Sequence, residues 1–154
     1  MPKIDIDALP VLTGTGYPEP YARAVAGRSR KRLGDAGGLT QYGVNLMTLK
    51  PGAASSHRHW HAHEDEFVFV LFGEVMLVED DGECNLKAGD AAAFPAGARN
   101  GQHLVNRSTD DALILEVGTR SADDSVEYSD AAVDMKAMKT AGAWRYLRKD
   151  GRPW

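Results

Sequence analysis

Cysteine is nearly absent. Cys84 is the only one in 154 residues, so no disulfide can form within the chain. It sits in a polar stretch, DDGECNL, and reads as a structural thiol. Long apolar runs are also missing: no window approaches the ~20 residues of a membrane span. The N-terminal stretch MPKIDIDALPVL lacks a basic region followed by an apolar core, so no secretory signal is expected and a cytoplasmic location is the default. Neither sign of charge dominates, with 18 basic against 22 acidic residues and a net charge of −4. That balance gives nucleic acid and anionic membranes no electrostatic hold. The one basic run, RSRKR at 28–32, is followed by GDAGG and reads as a solvated loop rather than a phosphate patch. Internal repeats and low-complexity segments are lacking.

What remains is an ordinary globular composition, 43% hydrophobic and 26% charged. A chain of this length is most simply one domain that buries roughly two thirds of its unfolded surface. Residues 1–38 are rich in Pro, Gly and charge; Pro10, Pro18 and Pro20 block helix there. This part reads as an extended arm with a short helical turn near Tyr21 to Ala26. From Leu39 the texture becomes strand-like. LTQYGVNLMTLKPG ends at a Pro-Gly turn, and HRHWHA alternates. EFVFVLFG is apolar on both faces, as a strand sandwiched in a core would be. EVMLVEDDGECNLKAGD reads as a hairpin turning at Asp81-Gly82. AAAFPAG, HLVNRS and DALILEVG complete the set. Turn signals every ~8–12 residues predict an all-β sandwich or barrel over 39–119. Residues 120–154 form a second arm, packing on the barrel or on a partner subunit. DAAVDMKAMKTAG suits either a short helix or an irregular segment with its methionines inward. Trp144 and Trp154 read as packing residues.

Four of the five histidines alternate at His57, His59, His61 and His63, followed by Glu64, Asp65 and Glu66. On one strand all four imidazoles point to the same side, with neighbours roughly 6.5–7 Å apart. Metal–nitrogen bonds are about 2.0–2.1 Å long, so only one adjacent pair can share an ion. The acidic HEDE stretch predicts a turn before the next strand. His59 and His61, at the end of their strand, are best placed to meet Glu66 as it returns. Glu64 reads as a solvated turn residue, His63 as a turn or supporting residue, and His57 as pocket-lining or surface. Arg58 and Trp60 alternate with the ligand candidates and should point away. Tyr42 and Asn45 differ in parity, so at most one faces a cavity.

HWHAHEDEFVFVLFG resembles the first motif of the cupin family, His-x-His-x4-Glu-x6-Gly, carried by His59, His61, Glu66 and Gly73. Gly52 precedes it. Fifteen residues separate Gly73 from Gly89, and Pro95 and Gly97 follow in GDAAAFPAG, which resembles the start of the second motif. The family then has a histidine three positions after that last glycine and an asparagine four positions further on. Here His103 follows Gly97 by six positions, and Asn106 follows His103 by three. The resemblance covers about residues 40–118. It implies a double-stranded β-helix, or jelly-roll, cupin barrel with N- and C-terminal arms, often a homodimer. It also implies a fourth metal ligand, assigned to His103, the remaining histidine.

The implied cofactor is one divalent transition metal per chain: Zn, Fe, Mn or Ni. With His103 in place, two positions of an octahedral ion stay open; without it, two histidines and one carboxylate match the facial triad of non-haem iron enzymes. The leading expectation is isomerase or lyase chemistry on a small polar molecule, either sugar-like, with or without a phosphate, or a carboxylate. The alternatives are a non-catalytic metal or small-molecule sensor and a non-haem iron dioxygenase. Glu64, His63 and Tyr42 are the candidate catalytic residues. His57, Arg99 and Gln102 are the candidate substrate contacts, Arg99 through its place at the barrel mouth.

Overall fold

The computed structural model describes residues 3–154. Two antiparallel sheets face each other. The first sheet is built from β1 (Leu12–Thr13), β2 (Arg28–Arg32), β3 (Tyr42–Leu49), β5 (Glu66–Phe72), β8 (Ala91–Phe94) and β10 (Ala112–Thr119), in the spatial order β1-β2-β3-β10-β5-β8. The second holds β4 (His59–His61), β6 (Glu74–Glu79), β7 (Glu83–Lys87), β9 (Gln102–Val105), β11 (Asp124–Tyr128), β12 (Lys136–Thr140) and β13 (Ala143–Leu147), in the order β13-β12-β11-β4-β9-β6-β7. From β3 onward the chain crosses repeatedly between the sheets, which is the winding of a double-stranded β-helix. A short helix, α1 (Leu33–Ala36), and a single 3₁₀ turn at Tyr21–Val25 are the helical pieces among the described residues. The latter falls where a helical turn was expected.

Alternation sets the core. Met47 and Leu49 on β3, Val68 and Val70 on β5, and Ile114 on β10 point inward to meet Val75 and Leu77 on β6 and Leu104 on β9. A second cluster is built by Val126, Tyr128, Val133, Met135 and Ala137, against which Tyr17, Tyr21 and Tyr146 pack. Both arms are thus drawn into the sheets of the same chain. The segment DAAVDMKAMKTAG is not helical: it supplies β12, with Met135 buried and Met138 exposed. The basic run is not a loop either. It is β2, hydrogen-bonded along β3 with Arg28 opposite Leu49, Arg30 opposite Met47 and Arg32 opposite Asn45. EFVFVLF is not covered on both sides, because Phe67 and Leu71 on its outer face remain 39% and 44% exposed.

Asn106, fully buried, ties down the end of β9. Its amide donates to the carbonyls of Leu49 and Asp110 at 2.8 Å each, and its Oδ1 accepts from the Ser108 N–H and hydroxyl. Gly73 makes the turn from β5 to β6 with φ at +75°, a conformation that disfavours any side chain. No helix among the described residues is long and apolar enough to cross a membrane.

A candidate metal centre in the barrel

β4 lies beside β11, with His61 opposite Val126 and His59 opposite Tyr128. Val126 and Tyr128 belong to the inner cluster, so both imidazoles face inward. Trp60 and Arg58 take the opposite side, where Arg58 pairs with Asp130 at 2.6 Å and Asp80 at 3.4 Å. The turn through residues 62–65 returns the chain as β5, and Glu66 enters beside the histidines.

The structure brings three donor groups together. His59 Nε2 and His61 Nε2 are 3.2 Å apart. Glu66 places Oε2 at 3.8 Å from His59 Nε2 and Oε1 at 3.7 Å from His61 Nε2. The other ring nitrogens are occupied. His59 Nδ1 donates to the His57 carbonyl at 2.9 Å, with the Ser56 hydroxyl at 3.3 Å. His61 Nδ1 donates to Asp124 Oδ2 at 2.6 Å. These acceptors keep the proton on each Nδ1 and leave the two Nε2 lone pairs facing each other. Two lone pairs at that distance repel unless a cation lies between them. Two cis nitrogens on one ion, each 2.0–2.1 Å from it, would be about 2.9 Å apart. The donor set therefore fits a divalent metal after a carboxylate shift of about an ångström. Burial holds the His59 imidazole below its ordinary value, an effect opposed by Glu66 and reinforced by His61. The ring is thus held in the neutral form that a metal requires.

Asp124 was not foreseen. Its side chain is fully buried, and its second oxygen accepts the His63 backbone N–H at 2.8 Å. His61, Glu64 and Asp124 also cluster, but there the histidine offers its protonated Nδ1. That cluster orients His61 rather than forming a second ion site.

His103 does not join the group. On β9, Gln102 and Leu104 face inward, and His103 lies on the other side, opposite Val78. Its Nδ1 donates to the Ser56 carbonyl at 2.9 Å, and burial holds it below its ordinary value. Gln102 takes the inward position instead, donating to Glu66 Oε2 at 3.0 Å. Counting back four residues from Asn106 would have found it; counting histidines led to its neighbour.

The other candidates separate clearly. Glu64 is not a solvated turn residue: its side chain is 11% exposed and pairs with Lys139 Nζ at 2.8 Å. The Ser121 N–H donates to the same oxygen, Oε1, also at 2.8 Å. Oε2 accepts no hydrogen bond among the described residues. His63 is 62% exposed in the turn. Tyr42 faces the outer side of β3, lining a groove with Phe67 and Pro95, so Asn45 is the cavity-facing member of that pair. His57 packs among Tyr17, Tyr21 and Tyr128, its Nε2 donating to the Tyr21 carbonyl at 2.8 Å. Arg99 stacks over Trp60, 5.7 Å from the ring centroid, on the outside of the second sheet.

The donors open onto a cavity of about 800 Å³ between the sheets. Both arms help to wall it: Tyr17 and Arg28 come from the N-terminal arm, and Tyr128, Lys139, Trp144 and Tyr146 from the C-terminal one. Burial raises the hydroxyls of Tyr17 and Tyr128 above the usual tyrosine value and pushes Tyr146 up to about 12. All three remain hydrogen-bond donors at neutral pH.

The family model for the cupin domain matches residues 45–118. A sugar phosphate isomerase of the cupin superfamily from Silicibacter pomeroyi is 48% identical, with a TM-score of 0.94, over 99% of this chain and 96% of its own. A protein from Acidithiobacillus ferrooxidans, described provisionally as a sugar phosphate isomerase, is 30% identical with a TM-score of 0.73, over 80% of this chain and 77% of its own. A polyketide cyclase from Streptomyces resistomycificus shares the fold alone, at 19% identity and a TM-score of 0.60, over 77% of this chain and 79% of its own. Curated proteins include no match. With both sequence motifs, the two-sheet winding and a near-full-length relative in agreement, the chain belongs to the cupin superfamily.

Proposed function

We propose that this protein is a metal-dependent isomerase or lyase acting on a small sugar-like substrate, phosphorylated in the leading case. The observation that carries this reading is the convergence of His59 Nε2, His61 Nε2 and Glu66 on one point of a roomy polar cavity. The likeness to the Silicibacter pomeroyi and Acidithiobacillus ferrooxidans proteins supports the choice of sugar phosphates. A divalent ion of the Zn, Fe, Mn or Ni kind, held by these three residues, would polarise a carbonyl or hydroxyl of the substrate. Gln102 holds Glu66 in place from behind. Glu64 is the general base: Lys139 and the Ser121 N–H occupy Oε1 and compensate its charge, leaving Oε2 to take a proton from carbon. Asn45 and the tyrosine hydroxyls supply hydrogen bonds to sugar hydroxyls. The partner in solution is a second copy, docked through the exposed Tyr42, Phe67 and Leu71 on the outside of the first sheet.

Metal analysis and proton exchange together test this reading. Purified protein should carry about one equivalent of a transition metal, lost in His61→Ala. It should also exchange a carbon-bound hydrogen of a sugar phosphate with solvent deuterium, seen by NMR, and Glu64→Gln should abolish that exchange with metal retained. Wild type without stoichiometric metal after reconstitution would sink the proposal. Metal without exchange or turnover would leave a binding protein. A second reading has one observation in its favour: with Gln102 in the fourth position, the set is two histidines and one carboxylate, as in non-haem iron oxygenases. Substrate-dependent oxygen uptake by the iron form would decide for it.

A further inference from the structure

β2 turns three arginines, Arg28, Arg30 and Arg32, toward the cavity side of the first sheet. Two are neutralised. Arg30 is held by both oxygens of Glu116 at 2.6 and 2.7 Å. Arg32, mostly exposed, lies 3.7 Å from Asp35. Arg28 differs. It is only 9% exposed and has no carboxylate partner among the described residues. Its recorded acceptors are two backbone carbonyls, those of Ser55 and Gly14. A guanidinium has five N–H donors, so three are left over. A buried cation without a counter-ion is costly, and a fold keeps one where a ligand supplies the opposite charge.

The surroundings of Arg28 suit an oxyanion. The segment through Gly14 and Gly16 closes over it, with Gly16 packed directly against the Tyr146 ring. The Tyr17 ring lies 5.9 Å from that of Tyr128 and 5.7 Å from that of Tyr146. All three tyrosines line the same cavity as His59, His61 and Glu66. We propose that Arg28, with the hydroxyls of Tyr17 and Tyr146, is the binding site for the phosphate group of the substrate. The sugar then reaches from that anchor to the metal-side residues. A tetrahedral dianion suits donors arriving from a guanidinium and from separate hydroxyls, whereas a carboxylate would be met by a single planar fork. The inference rests on the sugar-phosphate reading for its biological meaning, but phosphate binding itself needs no turnover.

The probe is inorganic phosphate, titrated by calorimetry into the metal-loaded full chain, with acetate as the comparison anion. Wild type should bind phosphate at least about tenfold more tightly than acetate. Arg28→Met should weaken phosphate by at least about tenfold with metal content unchanged. Arg99→Met, outside the cavity, should leave it as in wild type. Should Arg28→Met fail to fold, Tyr17→Phe and Tyr146→Phe decide, each expected to weaken phosphate severalfold. Phosphate binding that is absent in wild type, unchanged in Arg28→Met, unchanged in both tyrosine variants, or no tighter than acetate overturns the assignment. Loss of turnover with phosphate binding intact would instead count against the isomerase reading alone.

Discussion

Asp124 decides which nitrogen of His61 carries a proton. Its buried carboxylate accepts from Nδ1 at 2.6 Å, so Nε2 keeps its lone pair for an ion. Asp124→Asn retains the shape and removes the charge. Metal affinity should fall by about 10–100-fold, measured by chelator competition, with the thermal melt showing a folded protein. An unchanged affinity would mean that His61 is oriented by packing alone. His103 makes a different prediction. Burial holds its imidazole below the ordinary 6.5 in the folded chain, whereas the unfolded chain takes up the proton near that value. His103 therefore contributes stability that is complete above about pH 6.5 and drains away as pH falls through the folded value. Between about pH 7 and pH 5 the melting temperature of wild type should drop, and that of His103→Gln should drop less. His103→Gln should also keep its metal, because Gln102 is the residue beside Glu66. At this scale the sequence was legible for His59, His61 and Glu66, which lie within eight residues. It was not legible for Gln102 against its neighbour, because a one-residue shift on a strand reverses the face.

At the scale of elements, the motif glycines serve the turns that carry the chain from one sheet to the other. A Cβ at Gly73 would lie 2.8 Å from the Asp111 carbonyl oxygen, and φ there is +75°. Gly52 has a similar φ of +81° but nothing within 4 Å of such a Cβ. Gly52→Ala should therefore cost only the conformational term of about 1–2 kcal/mol. Gly73→Ala should cost clearly more, because backbone must also move. Urea unfolding of the two variants side by side measures the difference, and equal costs would mean that the turn relaxes freely. Gly97 ties the second motif to the first: its N–H donates to the His61 carbonyl at 2.8 Å. The strand pattern from Tyr42 to Thr119 was readable because alternation and turn residues are local signals. The RSRKR strand was not, since charge suggests solvent until a cavity is known to lie on one side. β12 was missed for a related reason: Lys136 and Lys139 are half-buried while Met138 between them is exposed, so hydropathy shows no clear period along the strand.

At the scale of the whole molecule, the arms complete the cavity that the barrel begins. The N-terminal arm brings Tyr17 and Arg28, and the C-terminal arm brings Asp124, Lys139 and Tyr146. The outer face of the first sheet leaves Phe67 and Leu71 exposed at 39% and 44%, beside Tyr42 at 41%. If this face joins two copies, Leu71→Lys should shift the protein from dimer to monomer in sedimentation velocity, with metal content unchanged. A wild type that sediments as a monomer would remove the dimer. The sequence by itself determined the barrel and the three converging donors. A strand's period of two puts His59 and His61 on one face, and a short acidic turn returns Glu66 to meet them. Only the tertiary structure decided what surrounds them. Asp124 lies 63 residues from His61 along the chain, and Lys139 lies 75 from Glu64. Their meeting depends on which strands become neighbours and in what register, and neither is encoded in the spacing of residues along one strand.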